Sequence, residues 1–192
     1  MCTSVDSLFT TVEAALQGVD VVLEGIGAAI PNPTVVAVEG AVMIAINGLA
    51  ELKSLYDTYE ADNTDTGIVG DIQAAVASAQ TNLQGVLTAA HIDNATVQAW
   101  VTKVVNMTGT ALEDVVKDVL PVVSEVRAAG SVSLTQAKVI NAGMKQLKAN
   151  FVSSWDAALE NSGLDSVAPG VVKAAHDNFH HTIAPHIIRA RV

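Results

Sequence analysis

The residues best suited to chemistry gather near the C-terminal end of the chain, where His176, His180, His181 and His186 lie close together. His176 and His180 are four apart, so on a helix they share a face and can hold one metal ion between them. His181 stands in the same relation to Asp177. One helix supplies at most half of a metal site. No Glu-x-x-His motif or second histidine pair completes this one, and His91 is remote in sequence. The pair therefore counts as a partial metal site, beside the plainer expectation of a polar helix end whose imidazoles favour the C-terminal dipole.

Other reactive patterns find less support. A di-metal helical bundle needs inward glutamates and Glu-x-x-His pairs. Glu39 is the lone acid in an apolar stretch, and Val101 occupies the matching position of the second half. Glu39 is expected instead to hydrogen-bond at a helix interface or to face solvent. The sequence carries no Gly-x-Ser-x-Gly, phosphate-cradling loop or dinucleotide fingerprint, so neither an enzymatic activity nor a cofactor is expected. Asn94-Ala95-Thr96 and Asn106-Met107-Thr108 match the glycosylation triplet only as chance occurrences of a short pattern. Cys2 is the sole cysteine, which excludes an internal disulfide and a cysteine zinc site. Cys2-Thr3-Ser4 also matches the mature start of a bacterial lipoprotein, with lipidation at Cys2. The chain as it stands reads as cytoplasmic, and as a cell-envelope protein if a lipoprotein signal preceded Cys2.

The elements that position these residues are helices throughout. In the first, Val5, Val12, Val19 and Ile26 recur every seven residues, joined by Phe9, Leu16, Leu23 and Ile30. Asp6, Glu13 and Asp20 form a parallel acidic line. Gly18, Gly25 and Gly27 each cost helix propensity and mark close approach of a neighbour. Pro31 ends this helix near Ile30, and Pro33 opens a second that runs to about Ala61. The first half of the second helix is apolar nearly all round, which suggests a buried central helix. A third covers about Gly67 to Ala90 and has no formal charge between Asp71 and Asp93. Such a face suits cover by a neighbouring subunit, which makes Gln73, Gln80 and Gln84 interface candidates. A fourth follows Asn94 and carries Val97, Val101, Val104, Leu112 and Val115 on one stripe, with Trp100 as a core or interface anchor. Pro121 kinks or interrupts it. Ser133-Leu134-Thr135-Gln136 reads as a capping box that opens a fifth helix to about Glu160. On that helix Lys138, Lys145 and Lys148 should face outward. A last helix runs from Asp165 or Ser166 to about Thr182.

Two phrases recur along the chain. Ile30-x-Asn32-x-Thr34-Val35-x-Ala37 returns as Ile92-x-Asn94-x-Thr96-Val97-x-Ala99, and Leu16-Gln17-Gly18-Val19 as Leu83-Gln84-Gly85-Val86. A duplicated helical hairpin accounts for both, with Asn32 and Asn94 as helix caps. The expected fold is all-α: an antiparallel four-helix bundle over 1–128, from hairpins 1–62 and 63–128, with a helical region 129–192 packed on it.

Half of the residues are apolar, 4% are aromatic and 16% are charged. The core is thus built from Val, Ala, Leu and Ile, and the charge content is below the roughly 25% usual for soluble domains. Of the net charge of −10, the first hundred residues carry −11 and the remainder +1; this acidic half repels phosphate backbones, so nucleic acid is excluded as a partner. The function expected from these observations is non-enzymatic: a structural or interaction subunit that assembles with itself or with a protein partner. Two alternatives stand beside it. One is a membrane-associated or membrane-active helical protein, anchored through Cys2 or exposing Val35–Leu49, although Glu39 interrupts that span. The other is a bundle binding a metal or small molecule through the histidines.

Overall fold

A computed structural model of the chain describes residues 2–30, 33–61, 68–119, 121 and 134–188. All regular structure among them is helical: α1 (Cys2–Ala29), α2 (Pro33–Ala61), α3 (Ile68–Ala89), α4 (Ala95–Asp114), α5 (Leu134–Glu160) and α6 (Val171–Ile188). The Asn32 cap, the loop after Asp62, Ser133 of the capping box and the boundary near residue 128 lie outside the described residues, as does the Cys2 side chain. Asn94 does cap α4. Its Oδ1 accepts from the backbone N–H of Thr96 at 3.0 Å and of Val97 at 3.2 Å, satisfying donors that no helical carbonyl can reach.

The centre of the fold is α1. It packs against α2, α4, α5 and α6, while α3 joins α2 to α4 on the outside. From Ser7 to Leu23 no residue of α1 is fully exposed, and Ala14, Ala15, Leu16, Val22 and Leu23 are wholly buried. Three glycines explain how one helix accommodates so many neighbours, because each faces a different partner. A methyl group on Gly18 would meet the Trp155 ring of α5, one on Gly25 would lie 3.1 Å from Val171 of α6, and one on Gly27 would lie 3.4 Å from Val35 of α2.

This arrangement corrects the expectation that α2 is the central helix. α2 buries Val35, Val38, Val42, Leu49 and Leu52 against the core, yet leaves Val36, Met43 and Ile44 in solvent. The acidic line of α1 is affected in turn, since Glu13 and Asp20 are half-buried rather than exposed. Burial, and then the neighbouring Glu24, raise the Asp20 carboxyl above its ordinary value. Glu39 of α2 lies over Gly27 of α1 and is raised by burial, by Asp20 and by Glu24.

Two helix ends depart from expectation for identifiable reasons. α4 widens into a π-helical turn at Val115–Val119, just before Pro121. The proline ring would press on the carbonyl four residues back, and the wider turn moves that carbonyl away. The final helix starts at Val171 rather than Asp165, because Leu164–Ser166 forms a separate 3₁₀ turn. Pro169 and Gly170 follow, and Gly170 has φ +84°, a left-handed conformation that suits glycine. The Asp165 carboxylate accepts from Gly170 N at 3.0 Å and Val172 N at 3.2 Å. It therefore caps α6 from outside. The helix then continues through Pro185 to Ile188, beyond the expected end near Thr182, while Phe179 and Ile183 hold α6 to the core.

Candidate functional site

Two features stand out from a packed helical core, a side-chain cluster between α5 and α6 and an apolar face on α2. The cluster begins with Trp155, which is wholly buried. Its ring lies 5.9 Å from that of Trp100 and 5.0 Å from that of Phe179, centroid to centroid. With Trp155 fixed inward, the next residue, Asp156, emerges at the edge of α5. With Phe179 fixed inward, His180 emerges on the facing edge of α6, and His176 sits one turn before it. The aromatic core thus sets the register in which these three polar side chains meet.

His180 Nε2 lies 2.8 Å from Asp156 Oδ1, and His176 Nε2 lies 4.0 Å from the same oxygen. The two imidazoles are 4.3 Å apart, centroid to centroid. One ligand atom from each of the three residues falls within 4.8 Å of the other two. The other ring nitrogen of His176, Nδ1, lies 3.5 Å from Asp177 Oδ1. Lys173 donates to Asp177, and this contact, then that of His176, holds the Asp177 carboxyl below its ordinary value. Asp156 and His180 are about one-third exposed and His176 about half exposed.

The sequence pattern identified His176 and His180 but missed Asp156. The available signal was its place beside Trp155: a charged residue next to a core tryptophan stands at the margin of the buried face. His181 is exposed and outside the cluster, while the His186 side chain lies outside the described residues.

The second feature is the outer face of α2. Pro33, Val36, Ala37, Gly40, Met43, Ile44 and Asn47 fall on one helical stripe and are all exposed. Val36 is 66% exposed and Ile44 57%. A methyl group on Gly40 would meet nothing within 4 Å. On α3, Gln73 and Gln84 are exposed and Gln80 is half-buried. Trp100, by contrast, is a core anchor at 2% exposure, so its place is in the interior rather than on the outer surface. Its Nε1 and that of Trp155 find no hydrogen-bond partner among the described residues. Lys148, expected to face outward, instead donates to Ser7 Oγ of α1, and burial lowers its ammonium below the ordinary value.

Comparison with family models, with curated proteins and with solved structures returns no match.

Proposed function

We propose that the protein is a non-enzymatic helical subunit that pairs with a second copy of itself through the outer face of α2. The observation that carries this reading is the stripe Val36, Ala37, Gly40, Met43 and Ile44, apolar and exposed among the described residues. Large apolar side chains on one continuous stripe favour removal from water. Small residues at Ala37 and Gly40, flanked by Val36 on one side and Met43 and Ile44 on the other, make the stripe self-complementary. In an antiparallel pair crossing at Gly40, the two glycines meet, Met43 of each copy falls beside Ala37 of the other, and Val36 falls beside Ile44.

Charge favours the same arrangement. The next acid along the stripe is Glu51. Antiparallel pairing about Gly40 places the two Glu51 residues about 33 Å apart, at ~1.5 Å of rise per residue. That separation is well beyond the screening length of about 8 Å. The uncharged face of α3, with Gln73 and Gln84, adds no repulsion between two chains that each carry a net charge of −10.

By length and composition the stretch Pro33–Leu55 could also cross a membrane. Insertion would strip Val35, Val38, Val42, Leu49 and Leu52 from the core. The acidic front half would also be repelled by anionic lipid. A membrane role is therefore kept as the opposing outcome of one experiment.

Sedimentation equilibrium of the full chain at about 100 μM should give twice the single-chain mass, and Ile44→Glu should give a monomer. The substitution introduces two carboxylates into each symmetric interface and should weaken pairing by at least about 100-fold. A wild-type monomer at that concentration, or co-flotation of the wild type with phosphatidylcholine vesicles, would refute the proposal.

A further inference from the structure

We infer that Asp156, His176 and His180 form a binding site for a late first-row divalent cation, with Zn²⁺ the ion that suits it best. The inference is independent of pairing through α2, since all three ligands belong to α5 and α6 of one chain.

A simple clamp between two helices needs one histidine on one carboxylate, and His180 on Asp156 would suffice. Here a second imidazole is stacked beside the first, and both turn Nε2 toward the same carboxylate oxygen. His176 has a carboxylate at its other nitrogen as well, at 3.5 Å. An imidazole whose Nδ1–H points to a carboxylate presents its Nε2 lone pair outward, the orientation metal-binding histidines adopt. Asp177 is itself steadied by Lys173. The outer support of one ligand is thus built into the turn of helix that carries it.

The dimensions suit a small cation. With ligand bonds of about 2.0–2.2 Å, neighbouring donors of a tetrahedral zinc site stand roughly 3.3–3.5 Å apart. The His180–Asp156 pair at 2.8 Å must open slightly, and the His176–Asp156 pair at 4.0 Å must close slightly. His176 is partly exposed and can make that adjustment by side-chain rotation alone. Asp156 is tied to the rigid Trp155 and supplies the fixed point.

The donor set selects the metal. Two imidazoles and one carboxylate suit zinc, nickel or copper over calcium or magnesium, which require a cage of oxygen ligands. Two carboxylates beside the histidines, Asp156 and Asp177, favour a dication. Three protein ligands leave a fourth position for water, and the exposure of the cluster allows entry from solvent.

The test is calorimetric titration of chelator-treated full-length protein with ZnCl₂, with thermal melts in parallel. One ion per chain should bind with a Kd in the micromolar range. At a hundredfold excess over Kd the melting temperature should rise by roughly 5–10 °C. His176→Ala leaves the His180–Asp156 hydrogen bond in place, so it should fold as wild type yet lose at least about tenfold in affinity. His181→Ala should bind as wild type. Because Trp155 and Phe179 adjoin the ligands, Ni²⁺ should also quench tryptophan fluorescence with the same stoichiometry. Absence of stoichiometric zinc binding at about 100 μM, undiminished affinity in His176→Ala, or equal loss in His181→Ala would each overturn the assignment.

Discussion

Replacing Gly18 with alanine tests how closely α1 is held against α5. The added methyl carbon would sit 2.6 and 2.7 Å from two carbons of the benzo ring of Trp155. Comfortable carbon contacts lie at about 3.5–4.0 Å, so the ring would have to retreat by roughly 1 Å. Its neighbours would have to move with it. Trp155 is wholly buried and held by Trp100 on one side and Phe179 on the other. Overpacking of this kind costs about 1–3 kcal/mol, and the rigid ring argues for the upper end. Alanine regains about 1 kcal/mol of helix propensity. The net expectation is a loss of about 2 kcal/mol, or roughly 4–8 °C in melting temperature for a chain of this length. The same substitution at Gly85 meets open space on an exposed face of α3. It should therefore raise the melting temperature by roughly 2–4 °C. Thermal unfolding by circular dichroism reads both. A double-mutant cycle isolates the clash, because Trp155→Phe removes the two offending ring carbons, and Gly18→Ala should then become neutral or stabilising. Equal stabilisation by Gly18→Ala and Gly85→Ala in the wild-type background would refute the close contact and, with it, the central place of α1.

Two further outcomes follow from local structure. Asn94→Ala removes an acceptor for two backbone N–H groups and should cost about 1 kcal/mol in urea unfolding, a loss that Asn94→Asp should largely avoid. Asp20 and Glu39 have carboxyls raised in the folded state, chiefly by burial, so the folded chain binds their protons more readily than the unfolded one. Their effect on stability improves as pH falls from neutrality through the raised folded values, and levels off below the unfolded values near 4. Asp20→Asn should accordingly be more stable than wild type at about pH 7, with the difference closing near pH 4; a less stable Asp20→Asn at neutral pH would contradict the sign.

The sequence by itself determined where several of the helices begin and break, though neither end of α6. Pro33 opens α2 and Asn94 caps α4, both local effects of missing or satisfied backbone donors. Pro121 lies where α4 loses its regular ladder. The glycines at 18, 25 and 27 announced close neighbours because glycine inside a helix lowers its stability unless something gains from the space. Apolar periodicity, however, reports how much of a helix avoids water and not how many neighbours cover it. The second helix, apolar nearly all round in its first half, consequently looked central, whereas α1, with its acidic line, is the helix that packs against α2, α4, α5 and α6. Tertiary structure also brought Asp156 to His176 and His180 across a turn of the chain, a proximity set by the packing of Trp155 and Phe179 and absent from any spacing along one helix. It placed Trp100 inside and Val36, Met43 and Ile44 outside. Side-chain type fixed the local geometry, and only the competition among helices for the space around α1 decided which faces were left in water.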